Sequence, residues 1–213
     1  MAPRQTSGRY GGVSAEERRE ERRAKLMVAT LDIIGMQGLS AATVSAVSES
    51  AGLIRRYFYE SFLDLETLLV ALYEQVLAEA AVTVLRAIET VDADARRRAR
   101  AGIAAFIQFI STDAGRARLV FVYAEGHPAL SVRHRDAEAL FVGMISEELK
   151  ASYRIPAHSD DLVNFNARML VGGSVATLIS WLEDPSSVPQ SELVERFVDF
   201  YVMVGNGIAD SKK

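Results

Sequence analysis

Apolar residues return every three to four positions along nearly the whole chain, and that regularity admits little besides helices. Leu26, Ala29, Thr30, Ile33 and Ile34 form the first stripe. Leu68, Leu69, Leu72, Tyr73, Val76, Leu77 and Ala80 form a longer one. Helix stops and starts separate the stripes: Gly35 and Gly38, Ser40 or Thr43, Ala51-Gly52-Leu53, Asp64, Asp92, Asp113, His127-Pro128, Arg154-Ile155-Pro156, and the run from Asp184 to Pro189. They predict one helix from Ala15, short ones near 43–50 and 54–61, a long one from Leu65 to about Thr90, and others near 93–112, 114–125, 129–152, 160–183 and 190–208. No segment alternates with period two for long enough to make a strand. The expected fold is all-α, with about nine helices and no internal repeat.

Composition narrows the function classes. Of 213 residues, 49% are hydrophobic and 24% charged, which excludes a disordered chain and leaves apolar material for a core. The chain has no cysteine, so disulfides, thiolate catalysis and cysteine-bound metal clusters are excluded. The three histidines, His127, His134 and His158, leave little room for a histidine-rich metal centre. Polar groups interrupt the longest apolar stretches within ~18 residues, so no membrane helix is expected. The first residues contain no apolar signal segment, and the expected compartment is the cytoplasm.

Charge is divided unevenly. Residues 1–62 hold nine Lys/Arg (Arg4, Arg9, Arg18, Arg19, Arg22, Arg23, Lys25, Arg55, Arg56) against seven acidic groups, net +2, while the rest carries net −6. A mildly basic head on an acidic body suits contact with a polyanion. An ordinary solvated helix face gives the same pattern.

The head also contains the sharpest local motif. Two short helices crossing steeply need a turn in which one residue is left-handed, and Gly52 stands there. Ser48 is small enough for close helix approach, and Val47, Ala51, Leu53 and Phe58 fall at core offsets. This is the spacing of a helix-turn-helix, although a plain αα corner shares it.

Residues 23–69 resemble the N-terminal domain of the TetR family of transcriptional regulators. The resemblance rests on Ala29, Ile33-Ile34 and Gly38 in and after the first helix, Thr43 and Val47 in the second, and Ala51-Gly52-Leu53 at the turn. Tyr59 and Phe62 match the family's Tyr-x-x-Phe, and Glu66, Leu68 and Leu69 open the fourth helix. Three positions depart from the pattern: Ile54 replaces a Ser or Thr, Arg56 a small residue, and Leu65 a phosphate-binding Lys. The resemblance implies a ligand-responsive homodimer that binds double-stranded DNA at a pseudo-palindromic operator, most simply as a repressor. Residues 1–14, rich in Gly, Ser and Arg and without periodicity, read as a disordered arm; the resemblance implies a helix-turn-helix domain at 15–62 and an effector-binding and dimerisation domain at 63–213.

On that reading the second short helix is the recognition helix. Its leading residues Ile54, Arg55, Arg56 and Tyr57 would face base edges, since arginine bonds guanine O6 and N7 in bidentate fashion. Adjacent arginines point ~100° apart, so one would read a base and the other meet phosphate. Tyr59 and Thr43 would donate to phosphates and set register. Arg18, Arg19, Arg22 and Arg23 interleave with Glu16, Glu17, Glu20 and Glu21, as a self-paired helix face or a backbone contact.

The body carries no catalytic constellation: there is no metalloprotease His pair, phosphate loop or nucleophile elbow. The expectation is a protein that is not an enzyme and needs no cofactor or metal. His127 and His134, near Glu125, Asp136 and Glu138, read as surface histidines or a metal-assisted effector site. Phe106, Ile110, Phe121, Tyr123, Phe141, Met144, Phe165 and Met169, with Arg168 as a polar group, would line a pocket for a small apolar effector or else simply fill the core. Leu162–Leu182 is apolar on nearly all faces and must be covered. Its Gly172, Gly173, Val175 and Trp181, with Phe197 and Tyr201 of the last helix, would form a four-helix interface across a two-fold axis.

Overall fold

The computed structural model describes residues 14–92, 94–156 and 159–210, so His158 and arm residues 1–13 lie outside the described residues. Among the described residues there are nine α-helices and no strand. They fall into two compact units, Met1–Leu72 and Tyr73–Lys213.

The head unit begins with α1 (Ala15–Gln37), followed by one 3-10 turn (Leu39–Ala41), α2 (Val44–Ser50), α3 (Arg55–Ser61) and the opening of α4 (Leu65–Glu89). Ser14, the last residue of the expected arm, caps α1. Its hydroxyl accepts from the Glu17 N–H at 3.0 Å, and the Glu17 carboxylate accepts from the Ser14 N–H in return. α1 buries Leu26, Met27, Ala29, Ile33 and Ile34. Thr30 is also buried, and its hydroxyl donates to the Leu26 carbonyl at 2.8 Å, so no polar group is stranded. Val47, Phe58, Phe62, Leu68 and Leu69 complete this core. Each large side chain so buried contributes about 1.5–3 kcal/mol.

The body unit contains α5 (Ala95–Ser111), α6 (Ala114–Ala117), α7 (Pro128–Tyr153), α8 (Asp160–Glu183) and α9 (Gln190–Asp210). α6 is a single turn that runs on as a π-helical segment, Arg118–Tyr123, where a uniform helix was expected. The wider turn lets Leu119, Val120 and Ala124 all reach the interior. Asp94 and Asp113 cap α5 and α6 by accepting from backbone N–H groups. One cluster joins Ala99, Leu149, Val163, Leu170, Tyr201 and Ile208; another joins Ile107, Leu178, Trp181, Leu193 and Val198.

Arg98 makes a two-pronged bond to Glu148 at 2.6 and 2.8 Å, and the Ser152 hydroxyl donates to the same carboxylate. Burial alone would raise the Glu148 carboxyl, but the Arg98 and Ser152 hydrogen bonds and the Arg98 charge together hold it below the usual range. Burial also raises the Tyr73 hydroxyl to about 12, and that hydroxyl lies 3.1 Å from His134 Nδ1. α4 and α8 are long and apolar enough to cross a bilayer, a property that core helices share. α4 instead buries Leu68, Leu69, Leu72, Tyr73, Val76 and Ala80 within the protein.

Candidate nucleic-acid interface

The turn between α2 and α3 is closed by backbone alone. Gly52 has φ +66°, and a Cβ built there would meet nothing within 4 Å, so the demand for glycine is conformational. The Leu53 N–H donates to the Ser48 carbonyl at 2.9 Å and the Gly52 N–H to the Glu49 carbonyl at 3.0 Å. These are the two bonds of a Schellman C-cap. Ser48 is buried and returns its own hydroxyl proton to the Val44 carbonyl at 2.7 Å.

The chain leaves the turn through Ile54, which is extended at φ −78°, ψ 150° and 62% exposed. Ile54 is therefore the N-cap of α3 and not its first residue. It has no side-chain oxygen to cap with, so the departure from Ser or Thr leaves α3 uncapped. Arg55 is exposed and its Nη2 donates to Ser45 Oγ of α2 at 2.7 Å. Arg56 is exposed too, and its Nε donates to Glu60 at 2.8 Å. Tyr59 is exposed, its ring edge-on to Phe58 at 5.5 Å. Thr43 caps α2 by accepting from the Ala46 N–H at 3.2 Å, which leaves its own hydroxyl proton to give away. The structure thus places Thr43, Ile54, Arg55, Arg56 and Tyr59 at the surface of the head, with Arg55 linking α3 to α2. Tyr57 is half-buried.

Two further contacts of the head are not apparent from charge pattern. The Arg22 guanidinium lies over the Tyr57 ring at 4.7 Å, and Arg23 lies over Phe62 at 4.1 Å while donating to the Ser61 carbonyl at 3.1 Å. α1 therefore grips α3 with two arginines. Their position carried the signal: Arg22 and Arg23 precede Leu26 by four and three residues, in register with the core stripe.

The expected effector set is divided. Phe106 and Phe141 meet edge-on at 5.8 Å, Ile110 is buried, and Phe121, Tyr123 and Met144 are half-buried. Phe165 and Met169 are 63% and 59% exposed on α8, and Arg168 is exposed beside them. The structure does not bring those three to the interior, because Val163, Ala167 and Leu170 take the inward face of the same turns. The expected interface set divides as well. Gly172 and Gly173 are exposed and Val175 is half-buried. Trp181 donates its indole N–H to the Val188 carbonyl at 2.8 Å, and Phe197 lines the groove of about 640 Å³ between α8 and α9. Tyr201 turns inward and is buried against Tyr153. His127 stands at the N-cap of α7, and His134 faces Tyr73.

No protein-family model matches the chain. It is 26% identical over 188 residues to the HTH-type transcriptional activator FasR of Mycolicibacterium smegmatis, covering 85% of this chain and 82% of that one. The transcriptional regulator FadR of Bacillus subtilis, solved in complex with stearoyl-CoA, superimposes with a TM-score of 0.71 at 14% identity over 84% of this chain and 97% of that one. A TetR-like regulator from Rhodococcus sp. RHA1 gives 0.68 at 12% identity, over 84% and 93%. All three are transcriptional regulators. The chain has the fold of the TetR-family transcriptional regulators, and it resembles that family in the order of its head residues.

Proposed function

We propose that the chain is a TetR-family transcriptional regulator acting in the cytoplasm, a homodimer that lays α3 in the major groove of a pseudo-palindromic operator. The observation that carries this reading is the left-handed Gly52 turn, which presents a seven-residue α3 with Arg55, Arg56 and Tyr59 all exposed. Similarity to an HTH-type transcriptional activator supports it. The test is binding to duplexes selected from a random pool by the full-length protein. Arg55→Ala and Arg56→Ala should each weaken binding, the base-reading one by ~1–3 kcal/mol with relaxed preference at one base pair. If both variants bind like the parent, α3 is not the reading helix.

The second copy would cover α8 and α9. Phe165, Met169, Phe200 and Met203 are exposed there, and Gly172 and Gly173 have nothing within 4 Å of a built Cβ. So much apolar surface at one face marks an interaction site. Gly173→Arg should put an unpaired charge into that contact and shift sedimentation from dimer to monomer. A parent that sediments as a monomer at micromolar concentration removes this part of the reading.

The effector is proposed as a small apolar molecule whose binding changes the spacing of the two recognition helices, which DNA selects near roughly 34–36 Å. The stearoyl-CoA in a protein of the same fold supports a fatty acyl group as its class. Stearoyl-CoA added to the operator complex should change its affinity, with release expected for a repressor and tightening for an activator. Unchanged affinity with acyl-CoAs and free fatty acids alike favours a regulator without an effector.

A further inference from the structure

Arg55 and Arg56 are adjacent, yet their surroundings are electrostatically unlike. Arg55 leans on the Ser45 hydroxyl, which carries no charge. Arg56 is held by the carboxylate of Glu60, one turn further along α3. The same carboxylate lies 3.8 Å from Arg22 of α1, whose guanidinium is anchored over Tyr57. Glu60 thus sits between a fixed cation with 23% of its side chain exposed and an open one with 80% exposed. The pair does little for the helix, because a basic residue placed before its acidic partner is the weaker order. Exposed pairs of this kind contribute little, so DNA can break it.

Every duplex offers phosphates, and an arginine that neutralises one adds affinity without regard to sequence. A carboxylate that occupies Arg56 and brings a negative charge toward the backbone opposes that contact. A guanine edge offers two aligned acceptors and rewards Arg56 more than a lone phosphate does. Resting on the DNA-binding reading above, we propose that Glu60 is a specificity-determining residue. It restrains Arg56 from sequence-blind phosphate contacts, so that Arg56 engages DNA only at its matching base while Arg55 supplies general affinity.

The experiment measures full-length protein on a selected duplex and on a scrambled one across a range of salt. Glu60→Gln should raise affinity for the scrambled duplex by roughly three- to tenfold, steepen its salt slope by about one, and lower the ratio between the two duplexes. The double variant Glu60→Gln/Arg56→Gln should lose that gain, because the released charge belongs to Arg56. An unchanged ratio overturns the proposal. So does a gain that survives in the double variant, since Glu60 would then merely repel DNA. Equal losses on both duplexes would make Glu60 a brace for α3 and overturn it too. A parent that selects no duplex defeats the DNA-binding reading itself, a result distinct from all of these.

Discussion

The head and the body solve the same packing problem with different means. In the head, each change of direction has its own device. Ser14 and Glu17 form a capping box, Gly38 at φ 88° ends α1, Gly52 at φ +66° turns α2 into α3, and Arg23 holds the Ser61 carbonyl at the end of α3. In the body α7 and α8 run for 26 and 24 residues, and α8 leaves Phe165 and Met169 uncovered. A helix with apolar residues all round must be buried all round. These devices close the turns of the head, while α8 of the body keeps Phe165 and Met169 exposed on the face that we propose a second copy covers.

That contrast can be broken most sharply at two phenylalanines. Phe58 is wholly buried and Phe165 is 63% exposed. Phe58→Ala should cost about 3–5 kcal/mol by thermal or denaturant unfolding, because it leaves a cavity under α3. Phe165→Ala should cost the isolated protomer almost nothing and weaken self-association in sedimentation. Equal unfolding penalties at the two sites would erase the distinction between a closed head and an open body.

A smaller effect separates the polar devices of the two units. Glu148→Gln strips Arg98 of its charged partner in a partly buried site and should cost roughly 1–3 kcal/mol near neutral pH. The Glu148 carboxyl is held below its ordinary range in the folded protein. Its contribution is therefore fully present above the ordinary carboxylate range and is lost as pH falls through the lowered folded value. The parent and Glu148→Gln stability curves should converge in acid and separate toward neutrality; parallel curves would remove the charge from the account. The smallest expected change is a gain. Ile54 has no side-chain oxygen, so Ile54→Ser should cap α3 and stabilise the head by about 0.5–2 kcal/mol, read as a rise in Tm.

Most of the helix boundaries could be read from the chain because their causes are local. Pro128 opens α7, Asp94 and Asp113 cap α5 and α6, and Gly52 permits a left-handed turn wherever that turn is packed. The site was legible only in part. Arg55, Arg56 and Tyr59 follow from their place after the turn. The grip of Arg22 and Arg23 is signalled only by their spacing before Leu26, because interleaved Arg and Glu residues suggest pairing within α1. Lys25 does pair that way, with Glu21 at 2.8 Å, while Arg22 and Arg23 turn toward α3.

Sequence by itself determined the all-helical fold, the order of the elements, the Gly52 turn and the basic head, because hydrophobic period, capping and backbone preference act within a few residues. Tertiary structure alone decided which apolar residues on a helix meet a neighbour. Phe106 and Phe141 meet in the body core, while Phe165, equally apolar, stays outside because Val163 and Ala167 fill the inward positions. It also decided that Glu60 is shared between Arg22 and Arg56. Periodicity fixes the face on which a side chain sits. The partner that face meets depends on contacts between residues far apart in the chain, which no local pattern encodes.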